Sequence, residues 1–164
     1  MRALLSLGSN IGDRVGNLLL ACSELRNLGD VMGVAPLYET SPVGDVVQDD
    51  FLNTAVLFET PHKPLELLAA LHRIEEVLGR TRDIHWGPRT LDIDIIDIEG
   101  FTSDLDELHI PHRCAHQRKF VLQPAADVAP EWKISGHSIA TLFECLNTDD
   151  EVRAFDDSRW VVAL

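Results

Sequence analysis

The stretch Leu91–Ile95 alternates apolar and acidic residues, and this alternation restricts the fold of the chain more than any other segment. A period of two is typical of a β-strand with one face in a core. Asp92 and Asp94 then project from the same face, with Cα atoms roughly 6.5–7 Å apart at ~3.3 Å rise per residue. Two carboxylates at that separation can bind one hard cation, or two cations that share a bridging ligand. A solvated face of an amphipathic strand is the alternative that this pattern leaves open.

Apolar periodicity along the first part of the chain predicts an α+β fold. Strands are predicted at Ala3–Leu7, Val31–Thr40, Phe51–Thr60 and Leu91–Ile95, and helices are predicted after Asp13 and from Pro64 to Leu78. This order is typical of a ferredoxin-like split β-α-β sandwich, with a mainly antiparallel sheet and helices on one sheet face. At 164 residues the chain is expected to form one domain over residues 1–164.

The remaining segments give weaker patterns. A helix is predicted from Phe120 to a point before Pro130, a short helix over Ile139–Leu146, and a closing strand over Arg159–Leu164. The acidic segment Asp149–Asp157 is interpreted as solvated surface. Two polar loops, residues 41–50 and 80–90, are both expected to feed the strand that carries Asp92 and Asp94, and a site is expected where they converge.

The charge distribution separates classes of ligand. The chain has 27 acidic and 14 basic residues, a formal net charge of −13, which argues against general nucleic-acid binding and against an anionic membrane surface. Six of the 14 basic residues nevertheless lie between positions 80 and 119. A local basic focus on an acidic protein favours a small polyanionic ligand. Arg89, after Gly87-Pro88, is placed to bind a phosphate that cations on Asp92 and Asp94 would hold.

Three widely spaced cysteines, with no Cys-x-x-Cys pattern, predict reduced thiols and a cytoplasmic location. The N-terminal residues turn polar too early for a signal peptide, and no apolar run approaches ~18 residues.

Eight segments resemble, in order, the 6-hydroxymethyl-7,8-dihydropterin pyrophosphokinase family. They are Leu7–Asn10, Tyr38–Gly44, Phe51–Asn53, Arg73–Glu75, Gly79–Arg82, Trp86–Asp94, Pro111-His112 and Arg118–Phe120. The string Trp-Gly-Pro-Arg-Thr-Leu-Asp-Ile-Asp at 86–94 is the most specific of them. The resemblance covers most of residues 3 to 130 and implies transfer of a diphosphate from ATP to the pterin in folate biosynthesis.

The resemblance also implies the roles of individual residues on the pterin side. Phe51 and Phe120 match the aromatic pair that stacks on the pterin ring. Asn53 matches the residue that reads the edge of the pterin, and Thr40 and Val43 match positions that offer backbone groups beside it. Core packing is the alternative for either phenylalanine.

On the nucleotide side, the resemblance implies that Asp92 and Asp94 hold two Mg²⁺ ions on the ATP phosphates. Arg82 and Arg89 match positions that engage those phosphates, which makes the two aspartates and two arginines the expected catalytic group. The other matched nucleotide-contacting positions are Glu75, Trp86, His112 and Arg118. A monomer that binds ATP and 6-hydroxymethyl-7,8-dihydropterin is expected.

Two other functions remain open from the residues alone. A two-metal phosphohydrolase would need a third carboxylate close to Asp92 and Asp94, and Asp97 is one residue out of phase with their face. A non-catalytic module of the same fold would bind ATP or pterin without forming AMP.

Overall fold

The computed structural model describes residues 1–42, 48–79 and 90–160. Its strands are β1 (Arg2–Ser9), β2 (Asp30–Val34), β3 (Leu37–Thr40), β4 (Phe51–Glu59), β5 (Asp92–Ile98), β6 (Ser103–Asp104), β7 (His109–Ile110), β8 (Lys133–Ile134), β9 (His137–Ser138) and β10 (Val152–Phe155). Its helices are α1 (Arg14–Arg26), α2 (Pro64–Val77), α3 (Lys119–Val128) and α4 (Ile139–Cys145), and a short 3₁₀ helix spans Ala115–Gln117.

Six strands form one antiparallel sheet in the order β10-β3-β4-β1-β5, with β2 also paired to β4. The pairs β6–β7 and β8–β9 form two small hairpin-like sheets beside it. The central strand β1 pairs with β4 on one side and with β5 on the other, so the register of β1 sets the position of both neighbours. The predicted α+β fold with a mainly antiparallel sheet is confirmed.

The sheet is covered on both faces. Alternate residues of β1, including Leu5 and Leu7, pack with the buried faces of α1 and α2. Leu4, which precedes Leu5 and projects from the opposite face, packs with the buried residues of α3 and with Ile139 of α4. The prediction of helices on one sheet face holds for α1 and α2 but was wrong for the fold as a whole, because α3 and α4 cover the second face. That second face is called the α3 face below.

The two long helices begin where the sequence predicts, and α2 also ends within one residue of its predicted end. Asp13 is the N-cap of α1, where its Oδ1 accepts a hydrogen bond from the Gly16 N–H at 3.1 Å. Pro64 is the first residue of α2, a position at which its missing N–H leaves no helical bond unmade. Gly79, with φ of 85°, ends that helix in the left-handed conformation that glycine tolerates best.

The predicted single strand Val31–Thr40 was wrong, because it is divided at Ala35-Pro36 into β2 and β3. Proline has no N–H to donate to the ladder, so the pairing with β4 stops and resumes one residue out of register. The hydroxyl of Thr54 on β4 donates to the Ala35 carbonyl at 2.9 Å and supplies a hydrogen bond at the break.

The prediction for the end of the chain was wrong for the part of it that the structure describes. Among the residues that the structure describes, the last strand is β10 within the acidic segment 149–157, and residues 158–160 form no strand. The rest of the expected closing strand, residues 161–164, lies outside the described residues. A predicted solvated surface is therefore partly an edge strand, in which Arg153 lies opposite Glu39 and Phe155 opposite Leu37 of β3.

None of the helices in the described part of the chain has the length and apolarity needed to cross a bilayer.

A close approach at Gly29 connects the end of α1 to the end of β4. A Cβ at position 29 would lie 2.2 Å from the Glu59 carbonyl oxygen, which is backbone and cannot rotate away. We expect Gly29→Ala to lower the free energy of unfolding by about 1–3 kcal/mol in urea titrations, because the helix must shift away from the sheet. The exposed neighbour Asn27 is the matched control, and Asn27→Ala should change stability by less than about 0.5 kcal/mol. Equal effects of the two substitutions would contradict the packing described here.

Candidate active site

Three strands bring two chemically different side chains to either side of one glycine. Gly8 of β1 lies opposite Asn53 of β4 and opposite Asp92 of β5. Opposed residues of antiparallel strands project from the same face, so both side chains lie on the α3 face. Two interstrand spacings separate them, which places their Cα atoms about 10 Å apart.

One side of this row is a polar group held inside the sheet. Asn53 is 4% exposed, and its Nδ2 donates to Thr40 Oγ1 at 2.8 Å. Phe51 lies two residues before Asn53 on the same strand, as the alternation predicts, and is half-buried. An amide with its donor committed and its carbonyl oxygen directed over the neighbouring strand offers an acceptor beside a partly exposed aromatic ring.

The absence of a side chain at position 8 leaves an open space between Asn53 and Asp92. A Cβ there would lie 3.1 Å from Asn53 Oδ1 and 3.7 Å from the Phe51 ring. Any larger residue would force the asparagine amide from its place or fill the space beside Asp92. Gly8 belongs to a segment that sequence reasoning matched to a family, but its role was missed, although a glycine inside a strand is itself a signal of close approach.

The turn after β1 holds the described ends of both long loops. Ser9 Oγ donates to the Thr90 carbonyl oxygen at 2.6 Å. Asn10 Nδ2 donates to Gln48 Oε1 at 2.9 Å and to the Asp49 carbonyl oxygen at 3.0 Å. Ser9 and Asn10 are both buried, so these bonds are shielded from water. The predicted convergence of the two loops is confirmed at these ends.

Asp92 and Asp94 lie opposite Gly8 and Ser6 and are half-buried on the α3 face, as their alternation predicts. Between them, the Ile93 N–H donates to Glu75 Oε1 of α2 at 2.8 Å. Strand β5 is at the edge of the sheet, so this carboxylate satisfies an edge N–H and fixes the backbone that carries both acids. Glu75 is 1% exposed, and a contact from it to a nucleotide stays a prediction.

The donor set suits a hard cation that arrives with ligands of its own. Within residues 1–42, 48–79 and 90–160, no three His, Cys, Asp or Glu side chains cluster to hold a metal ion. Mg²⁺ prefers six oxygen ligands and is commonly bound through one or two carboxylates together with phosphates and water. The oxygen pair of Asp92 and Asp94 fits that mode of binding.

A histidine and an arginine lie near Asp92. The His112 N–H donates to the Ile96 carbonyl oxygen at 2.8 Å, which fixes His112 to β5. Burial, and next the positive charge of Arg118, lower the pKa of His112, while the nearby Asp92 carboxylate raises it. The Cys114 N–H donates to His112 Nδ1 at 3.3 Å, so the ring proton of the neutral imidazole lies on Nε2. His112 thus presents a donor.

Helix α3 contributes the aromatic residue predicted to face Phe51. Phe120 is half-buried, and the guanidinium carbon of Arg118 lies 5.8 Å from the centre of its ring. Tyr38 on β3 fixes α3 to the sheet, because its hydroxyl donates to Asp127 Oδ2 at 2.6 Å. Burial, and next the Asp127 carboxylate, raise the pKa of Tyr38 to about 12, so it remains protonated as the donor. Sequence reasoning gave Tyr38 no such role.

The phase argument against Asp97 was wrong. A bulge in β5 places Asp97 opposite Leu4, and therefore on the same face as Asp92 and Asp94. Asp97 is still not a third ligand, because it lies three residues beyond Asp94 and is bound elsewhere. Its Oδ2 accepts a hydrogen bond from Trp132 Nε1 at 2.7 Å. Burial raises the pKa of Asp97, and the Trp132 bond lowers it by a smaller amount.

Four predicted site residues lie outside the described residues: Val43, Arg82, Trp86 and Arg89. The strand registers bring Thr40, Phe51, Asn53, Asp92 and Asp94 to the α3 face around Gly8. His112 lies near Asp92 and Arg118, and Phe120 lies beside Arg118. Glu75 instead reaches the backbone of β5 from α2.

The chain was compared with known proteins. A family model described as 7,8-dihydro-6-hydroxymethylpterin-pyrophosphokinase (HPPK) matches residues 4–130. The 2-amino-4-hydroxy-6-hydroxymethyldihydropteridine pyrophosphokinase of Methylorubrum extorquens is 43% identical over 140 residues, covering 84% of this chain and 89% of that protein. The protein of the same name from Bacillus subtilis is 42% identical over 131 residues, covering 79% of this chain and 78% of that one.

Longer proteins match as well. The bifunctional protein FolKE of Lactococcus lactis is 48% identical over 122 residues, which cover 73% of this chain and only 35% of FolKE. Among solved structures, Plasmodium falciparum HPPK-DHPS with pteroate matches with a TM-score of 0.68 and 20% identity, over 87% of this chain and 42% of that chain. At that identity the structural match supports the fold alone.

The lowered pKa of His112 gives a test of the site's electrostatics. We expect ring NMR titrations to place the pKa of His112 below the ordinary value of about 6.5. Arg118→Gln should raise that pKa, because it removes a positive charge, whereas Asp92→Asn should lower it further. Since the unfolded chain binds the proton more tightly, the stability from this group is present above about pH 6.5 and is lost as the pH falls through the folded pKa.

The exposed neighbour Arg113 is the control for the titration, and Arg113→Gln should leave the pKa of His112 nearly unchanged. A pKa of His112 that does not respond to Arg118→Gln would contradict the arrangement.

Proposed function

This chain belongs to the 7,8-dihydro-6-hydroxymethylpterin-pyrophosphokinase family, and we propose that its active centre lies on the α3 face around Gly8. As a member of that family, it is an ATP-dependent transferase of folate biosynthesis. It transfers a diphosphate from ATP to 6-hydroxymethyl-7,8-dihydropterin and forms AMP. The row Asn53, Gly8 and Asp92 is the observation that supports this location, because it sets an amide for a heterocycle beside a carboxylate for a cation.

The pterin half of the centre would be Asn53 with the two phenylalanines. The acceptor Oδ1 of Asn53 suits the amino and ring N–H groups on the edge of a pterin. Phe51 on the sheet and Phe120 on α3 are both half-buried, and a flat ring stacked between them would complete the burial of both. Thr40 would act through its hydroxyl, which holds the Asn53 amide at 2.8 Å and so selects its orientation. A contact from Val43 stays a prediction.

The nucleotide half would be the opposite side of the row. Asp92 and Asp94 would hold Mg²⁺ on the ATP phosphates, with two ions expected from the family resemblance. When bound, such ions would supply positive charge against the phosphates, while the pterin oxygen forms its bond to the β-phosphorus and AMP leaves with the oxygen of the broken bond. Arg118 lies close enough to His112 to lower its pKa, so it would add a positive charge beside the nucleotide. Arg82, Trp86 and Arg89 remain predictions for the phosphates and the cover of the site.

The protonation state of His112 decides whether it binds a phosphate oxygen as a donor or accepts the proton of the pterin hydroxymethyl group. Its pKa is lowered and its Nδ1 accepts from Cys114, so at neutral pH the ring is an uncharged donor through Nε2. A donor binds a phosphate oxygen and does not accept the proton of the pterin hydroxymethyl group. We therefore assign to His112 the binding of the nucleotide, and the rate enhancement to positioning and charge stabilisation.

The strand itself supplies a matched pair of substitutions. We expect Asp92→Asn to lower kcat/KM for AMP formation by at least about 100-fold, because it removes a group that stabilises charge in the reaction. Asp97→Asn changes the same side chain on the same strand and face, but asparagine still accepts from Trp132, so activity should stay within about twofold. Quantifying AMP from ATP and Mg²⁺, with and without 6-hydroxymethyl-7,8-dihydropterin, checks both.

AMP that forms at the same rate without the pterin would contradict the function and favour a phosphohydrolase. Equal activities of the two variants would leave the reaction intact but remove Asp92 from its proposed place.

A further inference from the structure

Strand β10 lies where it can shape the pterin half of the site, although the family match ends at residue 130. It pairs antiparallel with β3, and Val152 lies opposite Thr40, whose hydroxyl holds the Asn53 amide. Thr40 is thereby held from two sides, by Val152 of β10 and by Phe51 of β4. A displacement of β10 would remove the pairing of Thr40 with Val152.

The side chain of Arg153 joins the two strands that bear the pterin residues. Its Nη2 donates to Asp50 Oδ2 at 2.9 Å and to Glu39 Oε2 at 3.4 Å. Glu39 immediately precedes Thr40, and Asp50 immediately precedes Phe51. One guanidinium therefore fixes the residue before each of two proposed pterin contacts.

A second arginine joins this cluster, which lies on the sheet face opposite the α3 face. Arg14 of α1 donates from Nη1 to Glu39 Oε1 at 2.9 Å and to the Asp50 carbonyl oxygen at 2.7 Å. Its guanidinium carbon also lies 5.6 Å from the centre of the Phe155 ring of β10. Both arginines bind the Glu39 carboxylate, and both bind Asp50, Arg153 through its carboxylate and Arg14 through its backbone carbonyl. Such a network orders its members better than an isolated exposed pair.

The residues just before β10 also contact helix α3, which bears Phe120. Lys119, the first residue of α3 and the neighbour of Phe120, donates from Nζ to the Asp150 carbonyl oxygen at 3.2 Å. The segment 150–153 is thus hydrogen-bonded to Glu39 and Asp50 beside the sheet residues Thr40 and Phe51, and to Lys119 beside Phe120 of α3. The sheet residues and Phe120 are called the two pterin walls.

We infer that residues 150–155 form a strap that sets the spacing of the two pterin walls, and that Arg153 is a positioning residue for pterin binding. The inference rests on the proposed function for its substrate. Arg153 touches neither substrate in this account; it acts by holding Glu39 and Asp50. Loss of Arg153 should therefore weaken the binding of pterin and leave the nucleotide half, on the far side of Gly8, nearly unaffected.

Steady-state kinetics with separately varied substrates test this split. For Arg153→Gln we expect KM for the pterin to rise about fivefold, on the order of 1 kcal/mol, with KM for ATP and kcat within about twofold. Arg153→Lys should recover part of the loss, because one ammonium can still reach one of the acids. Arg159→Gln is the matched control, since Arg159 belongs to the same tail, has similar exposure and pairs instead with Asp13 and Asp157.

Hydrogen exchange supplies a readout that needs no turnover. The Phe51 and Leu52 amides should exchange faster in Arg153→Gln than in Arg159→Gln. If Arg153→Gln does not fold, Asp50→Ala removes the acceptor of the 2.9 Å hydrogen bond and should give the same pattern.

A pterin KM equal in the Arg153 and Arg159 variants would overturn the inference, as would equal losses for both substrates. If the parent protein forms no AMP, the proposed function fails, and hydrogen exchange alone then decides whether the strap exists.

Discussion

The pairing of β1 with both β4 and β5 is the constraint on which the site depends. Antiparallel pairing fixes which residues share a face, and the register around Gly8 brings Asn53 and Asp92 into one row although they lie 45 and 84 positions from Gly8 in the chain. A slip of one residue would direct Asn53 or Asp92 to the opposite face, among the apolar residues of α1 and α2. The cores on the two faces oppose such a slip, because Leu4 and Leu5 of β1 are both fully buried on opposite sides.

The end of β1 extends the same control to the loops. Ser9 and Asn10 bind Thr90 and Asp49 within the residues that lead into β5 and β4. Glu75 and Arg153 then fix the outer strands, the first through the backbone of β5 and the second through Glu39 and Asp50. The side chains proposed to bind the substrates are thus supported from behind by these polar groups.

Local patterns predict the parts of this site that depend on one strand at a time. The alternation at 91–95 places Asp92 and Asp94 on one face, and that of 51–55 places Phe51 with Asn53, because a period of two needs no information from elsewhere. The bulge at Ile96 defeats the same reasoning for Asp97, since an extra residue in one strand is visible only against its partner. Pro36 is a local signal for the break between β2 and β3. No local signal predicts that β3 resumes pairing with β4.

The remaining features come from contacts between distant segments. The segment that forms β10 has four residues and two exposed positions, so its sequence resembles acidic surface until β3 supplies a partner. The placement of α3 and α4 on the second face likewise depends on how much of the sheet α1 and α2 leave uncovered. Gly8 shows the opposite case, in which the sequence contains the signal but its meaning requires the position of Asn53.

The most direct test of the central claim, that Asp92 and Asp94 hold the divalent ion beside Gly8, is paramagnetic broadening by Mn²⁺ in the presence of a non-hydrolysable ATP analogue. In ¹⁵N-labelled protein, substoichiometric Mn²⁺ should broaden the Gly8 amide and the Asn53 side-chain amide. The Trp132 indole N–H, bound to Asp97 roughly 10–15 Å further along β5, should stay comparatively sharp. Broadening of Trp132 before Gly8 and Asn53, or no broadening of these two, would contradict the account.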